Sequence, residues 1–130
     1  MLIASVVLLI LNSACSITVP VAGKTSDDST LYAGTATGYL DRTGTLQMIN
    51  PKGDKCEGDF VYTAHRAGKG SLRCSNGRRA NFEFIGTSAT SGYGSGKTAD
   101  GVTVSFYFGM PASVGEKYVF SSGQGAPESS

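Results

Sequence analysis

The chain of 130 residues predicts an all-β fold: a small antiparallel β-barrel or sandwich of about eight strands built from consecutive hairpins. Three observations carry this. Glycine is abundant, with 18 copies, and no stretch carries helical periodicity. Short segments of alternating polarity recur between turn residues at intervals of about 8–12 residues, the pattern of a sandwich or barrel. Finally, loop lengths inferred from turn residues place the apolar side chains of successive strands on one face.

Residues 1–14 hold an apolar run from Leu2 to Leu11 and the small pair Ser13-Ala14, directly before Cys15. The run is shorter than the roughly 20 residues needed to span a bilayer, and its order matches an export signal. Followed by Cys15, it resembles the signal of a small bacterial envelope lipoprotein. The resemblance implies a diacylglyceryl group on the Cys15 thiol, which becomes the new N-terminus. Ser16, a residue other than Asp after that cysteine, implies forwarding to the outer membrane by similarity to enterobacterial lipoproteins. Ordinary secretory cleavage near Ala14 is the alternative. Residues 15–30 mix Ser, Thr, Pro, Gly and Asp and read as a flexible tether. Residues 31–122 form the β-domain, and 123–130 read as a disordered tail.

Within the β-domain, three segments place glycine third in a three-residue loop: Asp41-Arg42-Thr43-Gly44-Thr45, Cys74-Ser75-Asn76-Gly77-Arg78 and Thr98-Ala99-Asp100-Gly101-Val102. A type I turn closed by a left-handed glycine has this form. The loops set Leu40 opposite Leu46, Leu72 opposite Ala80, and Gly96, Gly94 and Gly92 opposite Val104, Phe106 and Phe108. A further hairpin centred on His65 sets Cys56 opposite Cys74 and Phe60 opposite Gly70. Even-numbered residues, including Tyr118 and Phe120 on a last strand, then share the buried face.

Three cysteines leave one over if the domain contains a disulfide. Modification of Cys15 removes the odd one, and the register pairs Cys56 with Cys74. Such a bond forms outside the cytosol.

Lys and Arg number 11 and Asp and Glu 10, a balance that points away from nucleic acid. Gly92–Thr98 resembles part of a phosphate-binding loop, but the strand-like Val102–Phe108 follows it where that loop needs a helix. It reads as a glycine-striped strand. His65 is the only histidine and falls at a hairpin tip, with no Gly-x-Ser-x-Gly elbow to pair with it. No metal ligand set, cofactor or catalytic residue is expected, and the chain reads as a non-enzyme.

Tyr39, Tyr93 and Tyr107 fall on the outward face, the last two opposite each other. Such tyrosines read first as cross-strand pairs that stabilise a sheet; Ser91, Tyr93 and Tyr107 are also a candidate binding surface. Ser91-Gly92-Tyr93 is similar to the inhibitory loop of the membrane-bound periplasmic lysozyme inhibitors, small disulfide-bonded β-barrel lipoproteins. That likeness implies lysozyme inhibition as one alternative function. A small ligand held inside the barrel, beside the glycines under Phe106 and Phe108, is another. The leading expectation is a lipid-anchored, non-catalytic domain. It would face the periplasm or cell surface from the outer membrane and bind an unknown envelope protein or ligand.

Overall fold

A computed structural model describes residues 15–121. The strands are β1 (Ser16–Thr25), β2 (Asp28–Tyr39), β3 (Thr43–Ile49), β4 (Lys55–Ala64), β5 (Ala67–Cys74), β6 (Arg79–Gly86), β7 (Gly92–Thr98) and β8 (Thr103–Phe108). Each pairs antiparallel with its sequence neighbour, and β1 pairs with β8, closing an eight-stranded barrel. Closure leaves no strand edge unpaired. The expected signal segment 1–14 and tail 123–130 lie outside the described residues.

Two hairpin loops follow their turn residues. Gly77 and Gly101 take φ of 90° and 88°, and their amides donate to the carbonyls of Cys74 and Thr98 at 3.0 Å. Leu72 pairs with Ala80, and Gly96 with Val104. The same turn recurs at Pro51-Lys52-Gly53, where Gly53 donates to the Asn50 carbonyl.

The first loop is displaced from expectation by two positions. It spans Leu40-Asp41-Arg42, and Arg42 rather than Gly44 takes the left-handed conformation, with φ of 69°. Gly38 therefore pairs with Gly44 and Ala36 with Leu46; Leu40 does not oppose Leu46. Packing explains the shift. A side chain at Gly44 would sit 2.1 Å from Phe60 Cζ, so this glycine is required in the strand, under the ring. Asp41 compensates at the turn by accepting from the Thr43 amide at 3.1 Å and its hydroxyl at 2.6 Å.

Residues 15–30 are not a tether. Strand β1 begins at Ser16, directly after Cys15, and lies between β2 and β8. Ile17, Val19 and Val21 alternate along it, and Pro20 is tolerated because pairing with β8 starts one residue later, at Val21. The β1–β2 pairing sets Val21 opposite Gly34, so inward residues on β1 are odd-numbered. The even-face rule fails on this strand alone among the eight.

After β8 the chain turns helical. Helix α1 (Ala112–Glu116) runs into a wider turn at Lys117–Ser121, where a last strand was expected. This segment crosses the outer wall. Gly115 lies against the Tyr107 ring, and Val119 packs with Ala22 and Tyr107.

The interior is aromatic. Phe82 and Phe106 meet edge to face at 5.2 Å, as do Phe60 and Phe84 at 5.5 Å and Tyr62 and Phe84 at 5.1 Å. Burying one phenylalanine stabilises by about 1.5–3 kcal/mol, and each ring pair adds about 0.5–1.5 kcal/mol. A strand glycine costs only about 0.5–1 kcal/mol. The exchange of side chains on β7 for space under the rings is therefore favourable. Cys56 and Cys74 are joined by a disulfide across β4 and β5.

Candidate functional site

The two ends of the barrel differ in chemistry. One end gathers the β1–β2, β3–β4, β5–β6 and β7–β8 loops, and polar side chains seal it. Arg78 pairs with Asp27 and lies 3.6 Å from Asp100. That guanidinium is the main cause holding the Asp27 carboxyl below its ordinary range. The buried Asn50 caps its own loop, accepting from the Asp54 amide at 2.9 Å, and the Thr98 hydroxyl accepts from the Val102 amide at 2.9 Å. Only about 30 Å³ of void remains beneath this seal.

The opposite end is open. It gathers the start of β1 and the β2–β3, β4–β5 and β6–β7 loops around a cavity of about 410 Å³. Phe60, Tyr62 and Phe108 form its floor, Ile17, Val19 and Leu40 line its wall, and Arg42, His65 and Arg66 stand at its rim. Arg42 is held in place. Its Nη2 donates to the Ala64 carbonyl at 2.6 Å and the His65 carbonyl at 3.3 Å, and its guanidinium lies 4.8 Å above the Tyr62 ring centre. The left-handed turn at residue 42 thus aims a cation across the mouth to the next loop. Arg66 is exposed, and its carbonyl accepts from the Gly86 amide at 2.6 Å.

The expected binding surface does not form as a unit. Tyr93 and Tyr107 are cross-strand partners, but the C-terminal segment covers both. Tyr107 is only 4% exposed, and burial, with a smaller contribution from Glu116, raises its phenol pKa. Tyr93 stacks on Tyr118 at 5.2 Å. The sequence reading missed this cover because five residues of helix carry too little periodicity to register. Ser91 lies in the mouth loop, and its hydroxyl bonds to those of Ser88 at 2.6 Å and Thr87 at 2.9 Å. Only Tyr39 stays exposed, at the rim.

The space expected beside the glycines under Phe106 and Phe108 is filled by the rings themselves. A methyl group on Gly94 or Gly92 would lie 2.6 Å from Phe106 Cζ or Phe108 Cζ. The aromatic core encloses a void of about 40 Å³, too small for a ligand of ordinary size. The mouth is the larger of these two spaces, about 410 Å³ against 40 Å³.

Among the described residues, no group of three or more His, Cys, Asp or Glu side chains is placed to hold a metal ion. No described helix is long and apolar enough to cross a membrane. Cys15 is exposed and is the free cysteine of the chain.

No protein-family profile matches the chain, and no curated protein matches it. Solved structures with the same fold include three designed proteins. A redesigned β-barrel shares 13% identity at a TM-score of 0.58, over 72% of this chain and 89% of that one. A de novo fluorescence-activating β-barrel shares 18% at 0.55, over 72% and 91%. A redesigned barrel solved with DFHBI shares 14% at 0.58, over 72% and 92%. These likenesses define the class as small closed eight-stranded barrels.

Proposed function

We propose that the chain is a lipid-anchored, non-catalytic binding module of the bacterial cell envelope, anchored through Cys15 and working through the open end of its barrel. One observation carries this reading: the mouth pairs an aromatic floor with a cationic rim, whereas the far end is sealed. That combination suits an amphiphile, its apolar part on Phe60, Tyr62 and Phe108 and its anionic group beside Arg42 and Arg66. The hydroxyls of Thr87 and Ser88 both bond to that of Ser91, which adds a polar patch to the mouth loops. Of the residues behind the lysozyme-inhibitor likeness, Ser91 ends the β6–β7 loop, and Gly92 and Tyr93 begin β7, with Tyr93 stacked on Tyr118. The cover over Tyr93 favours the aromatic floor and cationic rim of the mouth as the working surface.

Thermal denaturation with dodecyl phosphate and with dodecanol tests the site. Dodecyl phosphate at a hundred times its dissociation constant should stabilise the fold by about 2.7 kcal/mol, and dodecanol by less. Absence of any shift with either overturns the amphiphile reading. The anchor is tested by intact mass of membrane-fraction protein: an acyl adduct lost in Cys15→Ser is expected, and an unmodified Cys15 overturns it.

A further inference from the structure

The strand that follows Cys15 has no slack. β1 starts at Ser16, and Ser16 pairs with Tyr39 at the rim of the open end. Whatever holds Cys15 therefore holds the mouth. The same rim carries exposed apolar side chains: Leu40 is 79% exposed and Ile17 is 58% exposed. The mouth loops also carry net positive charge, Arg42 and Arg66 against Asp41.

From these observations we infer that the barrel docks end-on, mouth first, onto an anionic phospholipid bilayer. Leu40 and Ile17 enter the boundary between headgroups and acyl chains, and Arg42 and Arg66 contact phosphates. Apolar insertion with adjacent cations is the combination that binds interfaces and is selective for anionic lipid. The sealed far end points away. An occupant of the mouth would then enter from the membrane side. The inference rests on the mouth being the working surface, and it does not require acylation of Cys15.

The chain contains no tryptophan, so a single introduced indole reports on its own position. The probes are Leu40→Trp at the mouth and Leu31→Trp, 38% exposed near the far end, both in the full mature chain carrying Cys15→Ser. Vesicles are phosphatidylglycerol with phosphatidylethanolamine, with brominated acyl chains as quencher. The protein should float with these vesicles and not with phosphatidylcholine, and quenching should occur in Leu40→Trp alone. Arg66→Glu should weaken binding about fivefold or more, and added salt should weaken it further. Failure to float with anionic vesicles, or equal quenching at the two positions, overturns the inference. Acylation is read separately from intact mass, and amphiphile binding from the thermal shift without vesicles, so each reading fails on its own measurement.

Discussion

Replacing Gly94 with alanine should destabilise the barrel far more than the same change at Gly38. A methyl group on Gly94 would stand 2.2 Å from the Glu83 carbonyl oxygen, 2.6 Å from Phe106 Cζ and 2.9 Å from Phe84 Cα. Two of these atoms belong to the β6 backbone, which is paired on both sides and would have to retreat by about 1 Å. Overpacking of this kind costs about 1–3 kcal/mol, and a backbone collision belongs at the upper end. Alanine recovers about 0.5–1 kcal/mol by restricting the unfolded chain. The net loss is about 2 kcal/mol, a fall in Tm of about 8–16 °C for a domain of this size. At Gly38 a methyl group meets nothing within 4 Å, so only the entropic gain remains, about 0.4–1 kcal/mol of stabilisation. Urea unfolding followed by far-UV circular dichroism measures both. Variants within about 0.5 kcal/mol of each other would refute the claim that the wall must lack Cβ atoms where the rings cross it.

Other expectations concern the disulfide, the acid limb and the C-terminal cover. The Cys56→Ala/Cys74→Ala double variant should lose about 3 kcal/mol under the chain-entropy model, read as a lower urea midpoint; an unchanged midpoint would show the bond to be redundant. Asp27 has its pKa depressed first by Arg78, and Asp100 first by its bond to Thr98. Their stabilisation is present above the unfolded carboxylate value of about 4 and is lost as pH falls through the lower folded values. Acid titration of Asp27→Asn should therefore show a shallower loss of stability below about pH 4 than the parent. Tyr107 has a raised pKa, so its contribution is complete below about pH 10 and is lost as pH rises through the folded value. In Gly115→Val the added side chain meets the Tyr107 ring, 2.2 Å from the first new carbon. Displacing the cover should let one more tyrosine ionise near pH 10 in an absorbance titration, and an unchanged curve would count against burial by this segment.

Several pairings were legible because turn chemistry and side-chain parity agree. At Cys74–Arg78 and Thr98–Val102 a glycine takes the left-handed position, and a slip of one residue would turn Phe82 and Phe106 out of the core. The hairpin tip between β4 and β5 needed only the Cys56 and Cys74 match. Where two glycine-like solutions compete, local reading fails: Gly44 suits a turn, yet the Phe60 ring claims it for the strand. Strand β1 was hidden by Pro20 and by its opposite parity, although the alternation of Ile17, Val19 and Val21 was visible.

The candidate site was the least legible part. Ser91, Tyr93 and Tyr107 are outward by parity, but parity says nothing of what covers the wall, and α1 was silent in the pattern. The mouth combines residues from the start of β1 and three hairpin loops, among them Ile17, Leu40, Arg42 and Arg66, that share no local motif.

By itself the sequence determined what local forces decide: which segments extend, where most turns close, which face of most strands is oily, and which cysteines meet. Only the tertiary structure decided what depends on closure. Joining β1 to β8 turned one edge of a meander into a wall, gave the barrel a sealed end and an open one, and set Cys15 at the rim of the open one. These are contacts between distant segments, and their energies appear only when the whole ring of strands is complete.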